Sequence, residues 1–332
     1  MVLITGASGF VGSAALKHLL AAGYRAVGTV RRSSNLKRLV QMEEHLREAD
    51  LADIDALSAA MKGCRAVVHC AARSLDWGRT KDFLEVNVRG VENVVKAAAA
   101  VRSVRRFVYI STANVIGYGK RNMTELPVHE TRLRFTYSRS KREGERTVQQ
   151  MAKKEGISFL ILRPSAVYGP EDWKWSYEMV DRIARSYWPL IDGGRAVFTP
   201  LYIENLCRAI ELAIESEKSD LVLNITDDVT VSWREFCDKI ADCLGVPLHF
   251  KNVPSPIALS IAALFGFAYK SILPRRVPNI TLYRVIRSSR DFHYSCDRAK
   301  EMLGYTPDSD IDTHIQTTVE WYRSVVKRLV HE

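Results

Sequence analysis

Tyr137 and Lys141 have the residue types and the spacing of an acid–base pair. They open a strongly helical run four positions apart, so both side chains are expected on one face of a helix. An ammonium group beside a phenol favours the phenolate, so Lys141 is expected to lower the pKa of Tyr137 from its usual value of about 10. Tyr137 could then exchange a proton near neutral pH, as a general acid or base must.

A pair of hydroxyl residues, Ser111 and Thr112, precedes this helix and follows the apolar run Arg106–Ile110, which is typical of a buried strand. Ligands of open α/β sheets bind at the carboxyl ends of the strands, so Thr112 or Ser111 could hydrogen-bond a reacting oxygen. The spacing of Tyr137 and Lys141 alone also fits an ordinary amphipathic helix. The hydroxyl pair, together with a glycine motif at the start of the chain, favours chemistry instead.

That glycine motif lies between a predicted strand at Val2–Ile4 and a predicted helix at Phe10–Ala22. Gly6 would allow a sharp turn, Gly9 would let the backbone approach a diphosphate, and Gly12 would let the helix pack closely on the strand. The start of the helix offers unpaired N–H groups and a partial positive charge to phosphates. In this context the motif predicts a dinucleotide site.

The end of the predicted second strand, Arg25–Val30, bears on the choice of dinucleotide. NAD-selective sites usually carry Asp or Glu at this position, whereas Arg accommodates a 2′-phosphate. The strand is followed by Arg31 and Arg32 with no acid, and Lys37 and Arg38 lie just beyond. The pattern favours NADP(H) and leaves NAD(H) open; the alternative is a solvated basic loop.

Other strand ends contribute further candidates. Asp50 is either a turn residue or a contact to the adenine, and the predicted strand Arg65–Cys70 ends in the small residues Ala71 and Ala72, where a cofactor could pass close to the backbone. Asn87, inside a helix predicted over 81–101, is expected to satisfy the backbone of a neighbouring strand. A sixth parallel strand is predicted over 157–162, and Pro164 after it would steer the chain over the nicotinamide end of the cofactor.

The motifs TGASGFVG, DLAD, HCAA, NVRGVENV, STANVIG, YSRSK and LRPSAVYGP occur in this order over nearly the whole chain. Together they resemble the extended short-chain dehydrogenase/reductase superfamily, and its 3β-hydroxysteroid dehydrogenase-like and dihydroflavonol reductase-like branches more than its sugar epimerases. We therefore expect an α/β fold: a doubly wound (Rossmann) parallel sheet over residues 1–165, and a smaller, mostly helical C-terminal substrate lobe over 166–332, from which some segments return to the sheet.

The resemblance implies that Tyr137 is the catalytic acid/base, and that Lys141 orients the nicotinamide ribose and lowers the pKa of Tyr137. It places the family's Ser/Thr at Thr112, with Ser111 as its neighbour. One departure is Ile116, where many members carry Tyr; it leaves the catalytic trio untouched but can reshape the pocket. Similarity to the NADP-binding segment of dihydroflavonol reductases implicates Arg31 and Arg38 in cofactor binding. The full set of expected cofactor contacts is Gly6, Ser8, Gly9, Phe10, Val11, Gly12, Arg31, Arg32, Arg38, Asp50, Leu51, Ala71, Ala72, Tyr137, Lys141 and Pro164.

Two apolar segments of the second half allow several interpretations. Trp173, Trp175, Tyr177 and Trp188 could wall an apolar substrate site or form the core of the lobe. The stretch Ile257–Ala268 is the most apolar of the chain, yet at 12 residues it is short of the roughly 20 that a membrane span needs.

The stretch 257–268 is flanked by basic residues at Lys251, Lys270, Arg275 and Arg276. It could contact a membrane surface peripherally, close a lipid-sized pocket, or complete the core of the lobe.

Composition narrows the class of protein. The 332 residues are 47% hydrophobic, enough for a large core, and the net charge of +10 suggests anionic partners. No nucleic-acid-binding motif appears, so a phosphate-rich cofactor or an anionic membrane surface explains the charge better. A strand at the start of the chain argues against a secretory signal, which predicts a cytoplasmic location and leaves membrane association open. The six cysteines show no CxxC pair and are expected to be reduced, with no metal or disulfide role.

These observations favour an NADP(H)-dependent oxidoreductase that interconverts a secondary alcohol and a ketone on a hydrophobic substrate, of the steroid or long-chain acyl type. A nucleotide-sugar epimerase or dehydratase is the first alternative, and the apolar lobe argues against it. A non-catalytic dinucleotide-sensing protein is the second, and the intact pair Tyr137 and Lys141 argues against it. Whether the chain forms a homodimer stays open.

Overall fold

The computed structural model describes residues 1–125, 133–185, 188–272 and 278–331. Its strands are β1 Val2–Thr5, β2 Ala26–Val30, β3 Leu46–Glu48, β4 Ala66–His69, β5 Arg106–Ile110, β6 Lys120–Met123, β7 Ser158–Pro164, β8 Ala166–Tyr168, β9 Trp188–Ile191, β10 Val197–Phe198, β11 Pro200–Tyr202, β12 Leu221–Ile225, β13 Val231–Ser232, β14 Phe250–Val253 and β15 Phe292–Tyr294. Its helices are α1 Phe10–Ala21, α2 Ile54–Met61, α3 Thr80–Leu84, α4 Gly90–Val101, α5 Thr136–Lys154, α6 Trp175–Ala184, α7 Ile203–Glu215, α8 Trp233–Leu244, α9 Ser255–Ile272, α10 Leu282–Ser289, α11 Asp297–Leu303 and α12 Ile311–His331.

A seven-stranded sheet in the order β12-β7-β5-β4-β1-β2-β3 carries the architecture, and all its neighbouring strands are parallel. Its central strands are apolar runs buried on both faces, as a parallel sheet covered by helices requires. One face packs against α1 and α7, and the other against α2, α4 and α5. The predicted doubly wound sheet is confirmed.

The second half of the chain both returns to this sheet and builds a lobe of its own. Strand β12 pairs with β7, so that Leu221 lies opposite Leu160. The lobe has a separate apolar core, formed mainly by α6, α8 and α12 with the small sheet β13-β10-β15-β6. The mostly helical lobe expected from the sequence is therefore present, with short strands added.

The helix predicted over 81–101 is interrupted. It consists of α3, one turn of π-helix over Glu85–Arg89, and α4. Asn87 lies in this wider turn, where its amide bonds both the N–H and the carbonyl of Arg73 at 2.8 and 3.2 Å, and also reaches the Ser140 hydroxyl at 2.9 Å. Asn87 thus satisfies backbone groups, as predicted, although those groups belong to the loop after β4 and not to a strand.

The aromatic cluster of the second half is mainly core. The Trp175 ring stacks on Phe236 at 5.9 Å, and Tyr177 contacts Tyr322 at 5.4 Å. Trp188 packs against the same core. Trp173 is 42% exposed. The core interpretation therefore holds for three of the four residues.

Helix α9 extends the apolar stretch 257–268 at both ends. Ala258 and Ala262 are buried against Val285 of α10, whereas the large side chains Ile257, Ile261, Leu264, Phe265 and Phe267 are exposed. Over the four described ranges of the chain, no helix is long and apolar enough to cross a membrane. The Lys270 side chain, Arg275 and Arg276 lie outside the described residues.

Candidate active site

The glycine turn between β1 and α1 has the tight geometry that the motif predicts. Gly6 has a φ of +69°, and a Cβ built there would lie 2.7 Å from the Ala71 Cα. A Cβ built at Gly12 would lie 2.3 Å from the Gly6 carbonyl oxygen, so only glycine allows α1 to start this close to the turn. Gly9 precedes α1 without capping it by a side chain, which leaves the first N–H groups of the helix available to an anion. These features fit the diphosphate of a dinucleotide.

The basic residues after β2 differ in their placement. The Arg38 guanidinium donates hydrogen bonds to the Ser8 carbonyl at 3.3 Å and to the Glu171 carbonyl at 3.0 Å, which holds it against the glycine turn. Arg31 and Arg32 are exposed at the end of β2. The structure thus brings Arg38 to the predicted cofactor edge and leaves Arg31 and Arg32 at its rim.

The remaining predicted cofactor contacts lie along the same edge of the sheet. Asp50 acts as a turn residue, since its carboxylate accepts a hydrogen bond from the Ala52 N–H at 2.9 Å. The Leu51 carbonyl accepts one from Asn93 at 2.9 Å. The Ala71 N–H donates to the Thr5 hydroxyl at 3.4 Å, beside Gly6. Ala72 follows, half-buried, and Pro164 is the last residue of β7.

Thr112 and Tyr137 meet where β5 ends and α5 begins. The Thr112 hydroxyl lies beside the Tyr137 phenol, close enough to oppose the rise in its pKa. The same hydroxyl accepts a bond from the Asn114 N–H at 3.4 Å. The predicted hydroxyl and the predicted acid–base residue are therefore neighbours at the carboxyl edge of the sheet.

Ser111 points into a different network. Its hydroxyl donates to Glu145 at 2.5 Å, and Glu145 forms a bidentate ion pair with Arg163 at 2.9 and 2.7 Å. All three side chains are buried. The Ser111 hydroxyl bonds Glu145 and so does not lie beside Tyr137 as the Thr112 hydroxyl does. Of the two hydroxyls that the sequence offered for a reacting oxygen, the structure places Thr112 at Tyr137.

Lys141 is almost fully buried one turn along α5 from Tyr137. Its ammonium donates to the Ile110 carbonyl at 2.6 Å and lies 4.1 Å from the centre of the Tyr109 ring. Burial lowers the pKa of Lys141 to about 7, and the nearby Glu145 and Cys70 oppose that shift. The ammonium is thus held at the end of β5, next to the strand that carries Thr112.

The predicted lowering of the Tyr137 pKa is wrong for this structure. Burial raises the pKa of Tyr137 above its usual value of 10.0 because it disfavours the phenolate, and the neighbouring Tyr283 adds to the rise. The groups that oppose this rise are the Thr112 hydroxyl and the Arg287 guanidinium. The Lys141 ammonium faces the Ile110 carbonyl and the Tyr109 ring instead.

Four residues at this site were missed by the sequence. The Asn114 side-chain amide donates to the Tyr283 phenol at 2.8 Å, and the Tyr294 phenol donates to the side-chain amide oxygen of Asn114 at 3.2 Å. Arg287, one turn after Tyr283 on α10, extends over the rings of Trp175 and Trp233. Asn114 could have been suspected from its place two positions after Thr112. Tyr283 and Arg287 are far from that motif in sequence and carry no local pattern that points to it.

The cysteines take no visible part in the site. All six are free thiols, and four of them are buried. Among the residues that the structure describes, no group of three His, Cys, Asp or Glu side chains could hold a metal ion. Thr112 and Tyr137 offer hydrogen bonding and proton exchange, beside a turn shaped for a dinucleotide.

Comparison with known proteins places this arrangement in a family. A model described as the NAD dependent epimerase/dehydratase family matches residues 2–226. The chain is 28% identical over 314 residues to a protein of Dictyostelium discoideum named sterol-4-alpha-carboxylate 3-dehydrogenase, decarboxylating. The alignment covers 92% of this chain and 95% of that protein. It is 27% identical over 305 residues to the 4-hydroxy-2-methyl-3-oxo-4-farnesyl-3,4-dihydroquinoline-1-oxide ketoreductase of Stigmatella aurantiaca, with 91% and 90% covered.

Among solved structures, UDP-glucuronic acid 4-epimerase from Bacillus cereus in complex with NAD superposes with a TM-score of 0.77 over 98% of this chain and 99% of that one. At 19% identity, this likeness shows the fold alone. The family model covers more than half of the chain, and the two relatives align along nearly its full length. The chain belongs to the NAD-dependent epimerase/dehydratase family, and so to the extended short-chain dehydrogenase/reductase enzymes that its motifs resemble.

Proposed function

We propose that this protein is an NADP(H)-dependent oxidoreductase that interconverts a secondary alcohol and a ketone on a hydrophobic substrate. The observation that carries the proposal is the position of the Thr112 hydroxyl beside the Tyr137 phenol at the carboxyl edge of the sheet. It lies on the same edge as the glycine turn at Gly6 to Gly12, so a dinucleotide and a reacting oxygen would be held side by side.

In this proposal each residue has a separate task. A bound dinucleotide would supply or accept the hydride. Tyr137 would give a proton to the substrate oxygen or take it away, while Thr112 hydrogen-bonds that oxygen and keeps it aligned. Lys141, fixed by the Ile110 carbonyl, would hold the hydroxyl groups of the nicotinamide ribose. The start of α1 would bind the diphosphate.

The preference for NADP(H) rests on the charge after β2. Arg31 and Arg32 follow β2, where an NAD-selective site would carry an acid, and Arg38 lies six residues later in the chain. Arg38 is already held at the glycine turn by the carbonyls of Ser8 and Glu171. A 2′-phosphate would meet these guanidinium groups as a bidentate partner.

The hydrophobic substrate is supported by the relatives and by α9. One relative is named for a sterol and the other for a farnesyl-substituted ring. Helix α9 packs on α10, which carries Tyr283 and Arg287, and Gly266 of α9 lies close to the Trp77 ring in the loop after β4. We therefore place an apolar part of the substrate, or a lipid surface that delivers it, on the side of the site covered by α9.

The test is turnover of Tyr137→Phe with cholestanol or methyl β-hydroxymyristate and NADP⁺, followed by the absorbance of the reduced nicotinamide. Loss of a positioned acid/base should lower kcat by roughly 10²–10⁴, with folding and cofactor affinity preserved. The matched control is Tyr24→Phe, since Tyr24 follows α1 at the opposite edge of the sheet. Normal turnover in Tyr137→Phe would remove Tyr137 from the mechanism. Turnover of a UDP-sugar, with neither alcohol accepted, would favour the epimerase instead.

A further inference from the structure

Helix α10 directs two side chains at the proposed active site. Tyr283 and Arg287 are four residues apart and so share one face of the helix. The Tyr283 phenol accepts a hydrogen bond from the Asn114 amide at 2.8 Å, which fixes that face against the loop that follows Thr112. The end of the helix is held as well, because the Trp233 indole N–H donates to the Arg287 carbonyl at 3.1 Å.

The Arg287 guanidinium is half-buried, and none of the described residues gives it an acidic partner. Its central carbon lies 5.0 Å from the centre of the Trp175 ring and 5.7 Å from that of Trp233, so two aromatic faces provide its surroundings. Arg284, on the same helix, pairs with Asp76 at 2.8 Å. In the part of the chain that the structure describes, no carboxylate forms an ion pair or a hydrogen bond with the Arg287 side chain.

We propose that Arg287 binds a carboxylate of the substrate, so that the natural substrate is a hydroxy acid or keto acid whose acid group lies a few carbons from the reacting oxygen. This inference rests on the proposed oxidoreductase function and names its substrate class. A guanidinium offers a planar pair of N–H donors that matches a carboxylate, and partial burial strengthens that pairing. The carboxylate serves as a handle and takes part in no bond change.

The placement of α10 relates the two groups. Tyr283 contacts Asn114, which is two residues beyond Thr112, and Arg287 follows one helical turn later. The Arg287 charge also acts on Tyr137 itself, where it favours the phenolate. A substrate with its hydroxyl at Tyr137 and its carboxylate at Arg287 would carry both groups on the side of α10, while its apolar remainder extends toward α9. A β-hydroxy acid is the simplest probe with this arrangement.

The experiment compares β-hydroxymyristate with its methyl ester, two probes that differ in the charged group. Oxidation with NADP⁺ is measured for the wild type, Arg287→Gln, Arg287→Lys and the control Arg290→Gln, since Arg290 is exposed at the end of α10. The wild type should prefer the acid. Arg287→Gln should lower the ratio of acid to ester kcat/KM by about 10- to 100-fold, mainly by raising KM for the acid. Arg287→Lys should lower this ratio less, and Arg290→Gln should leave it unchanged.

A second readout does not depend on turnover. Trp175 and Trp233 border the guanidinium, so saturable binding of β-hydroxymyristate should change the tryptophan fluorescence of the wild type with NADP⁺, and Arg287→Gln should weaken that binding by a similar factor. The inference is overturned if the wild type does not prefer the acid, or if Arg287→Gln or Arg287→Lys lowers kcat/KM for acid and ester equally. Arg287 would then only support the two indole rings. Ester oxidation that depends on Tyr137, without any preference for the acid, would overturn this inference alone. Acid binding that depends on Arg287, without oxidation, would overturn the oxidoreductase proposal alone.

Discussion

Lys141 carries a burial penalty that can be measured through stability. Burial holds its pKa at about 7 in the folded protein, compared with 10.5 for an exposed lysine. Between these two pH values the folded state binds fewer protons than the unfolded state, so the Lys141 contribution to the free energy of unfolding rises with pH. We expect the stability of the wild type relative to Lys141→Met to increase from pH 7 toward pH 10.5, as measured by urea unfolding. Parallel stability curves for the two proteins would contradict the lowered pKa.

The arginines after β2 make a prediction about cofactor affinity. NADPH should bind more tightly than NADH, and Arg31→Ala should reduce that preference by roughly 10- to 100-fold, the effect of losing a charge-assisted contact of about 1.5–3 kcal/mol. Arg25→Ala is the control, because Arg25 is exposed just before the opposite end of β2. Titration of both cofactors into the three proteins checks this. Equal affinities of the wild type for NADPH and NADH would exclude the proposed role.

Single residues were predictable where a short motif fixes their geometry. The strand-end position of Thr112 led to its place beside Tyr137, whereas the Lys141 ammonium contacts the Ile110 carbonyl and not the phenol. The direction of the Tyr137 pKa shift was not predictable, because it depends on burial and on where the Lys141 ammonium points. Arg287 was not predictable either, since α10 reaches the site only through tertiary contacts such as the bond between Tyr283 and Asn114.

Among the helices, α9 gives a test of what its apolar residues do. Leu264 is 67% exposed, whereas Ala262 is fully buried against α10. Leu264→Asp should therefore change the free energy of unfolding by less than about 0.5 kcal/mol, whereas Ala262→Asp buries a charge and should cost several kcal/mol. Thermal unfolding of both variants measures this. A marked loss of stability in Leu264→Asp would return α9 to a role in the core of the lobe.

The same variant separates a membrane surface from a closed pocket. If α9 contacts lipid, the wild type should sediment with anionic vesicles at low salt, and Leu264→Asp should not. High salt should reduce the sedimentation of the wild type, because screening weakens the attraction between basic residues and the vesicles. If α9 covers an apolar substrate instead, no sedimentation occurs and Leu264→Asp raises KM for methyl β-hydroxymyristate. A variant that alters neither measurement would leave the exposed face of α9 without either role.

Elements whose apolar pattern is local were predicted from the sequence to within a few residues. Helix α1 is an example, since it was predicted over Phe10–Ala22 and spans Phe10–Ala21, and β5 has the predicted bounds Arg106–Ile110. The π-turn around Asn87 could not be predicted, because the partners that stabilise it lie in the loop after β4 and on α5.

In the whole molecule, the two halves of the chain share one core. Strand β12 completes the sheet beside β7, and α7 covers one face of the sheet together with α1. Residues from both sides of position 165 are therefore neighbours in a single buried cluster. The predicted division assigns dinucleotide binding to residues 1–165 and substrate binding to residues 166–332, and it stays a prediction about function. In their packing, the two halves share one core.

This shared core predicts that the molecule unfolds in one cooperative transition. Five of the six tryptophans lie beyond residue 165, so fluorescence reports mainly the second half, while far-ultraviolet circular dichroism reports the whole chain. The two urea transitions should coincide. Leu206→Ala, at a fully buried position of α7 on the sheet, should shift both transitions together and cost about 2–5 kcal/mol, whereas Leu264→Ala on the exposed face of α9 should shift neither. Two separate midpoints, or a Leu206→Ala effect confined to fluorescence, would mean that the sheet of the first half is stable without α7 and β12.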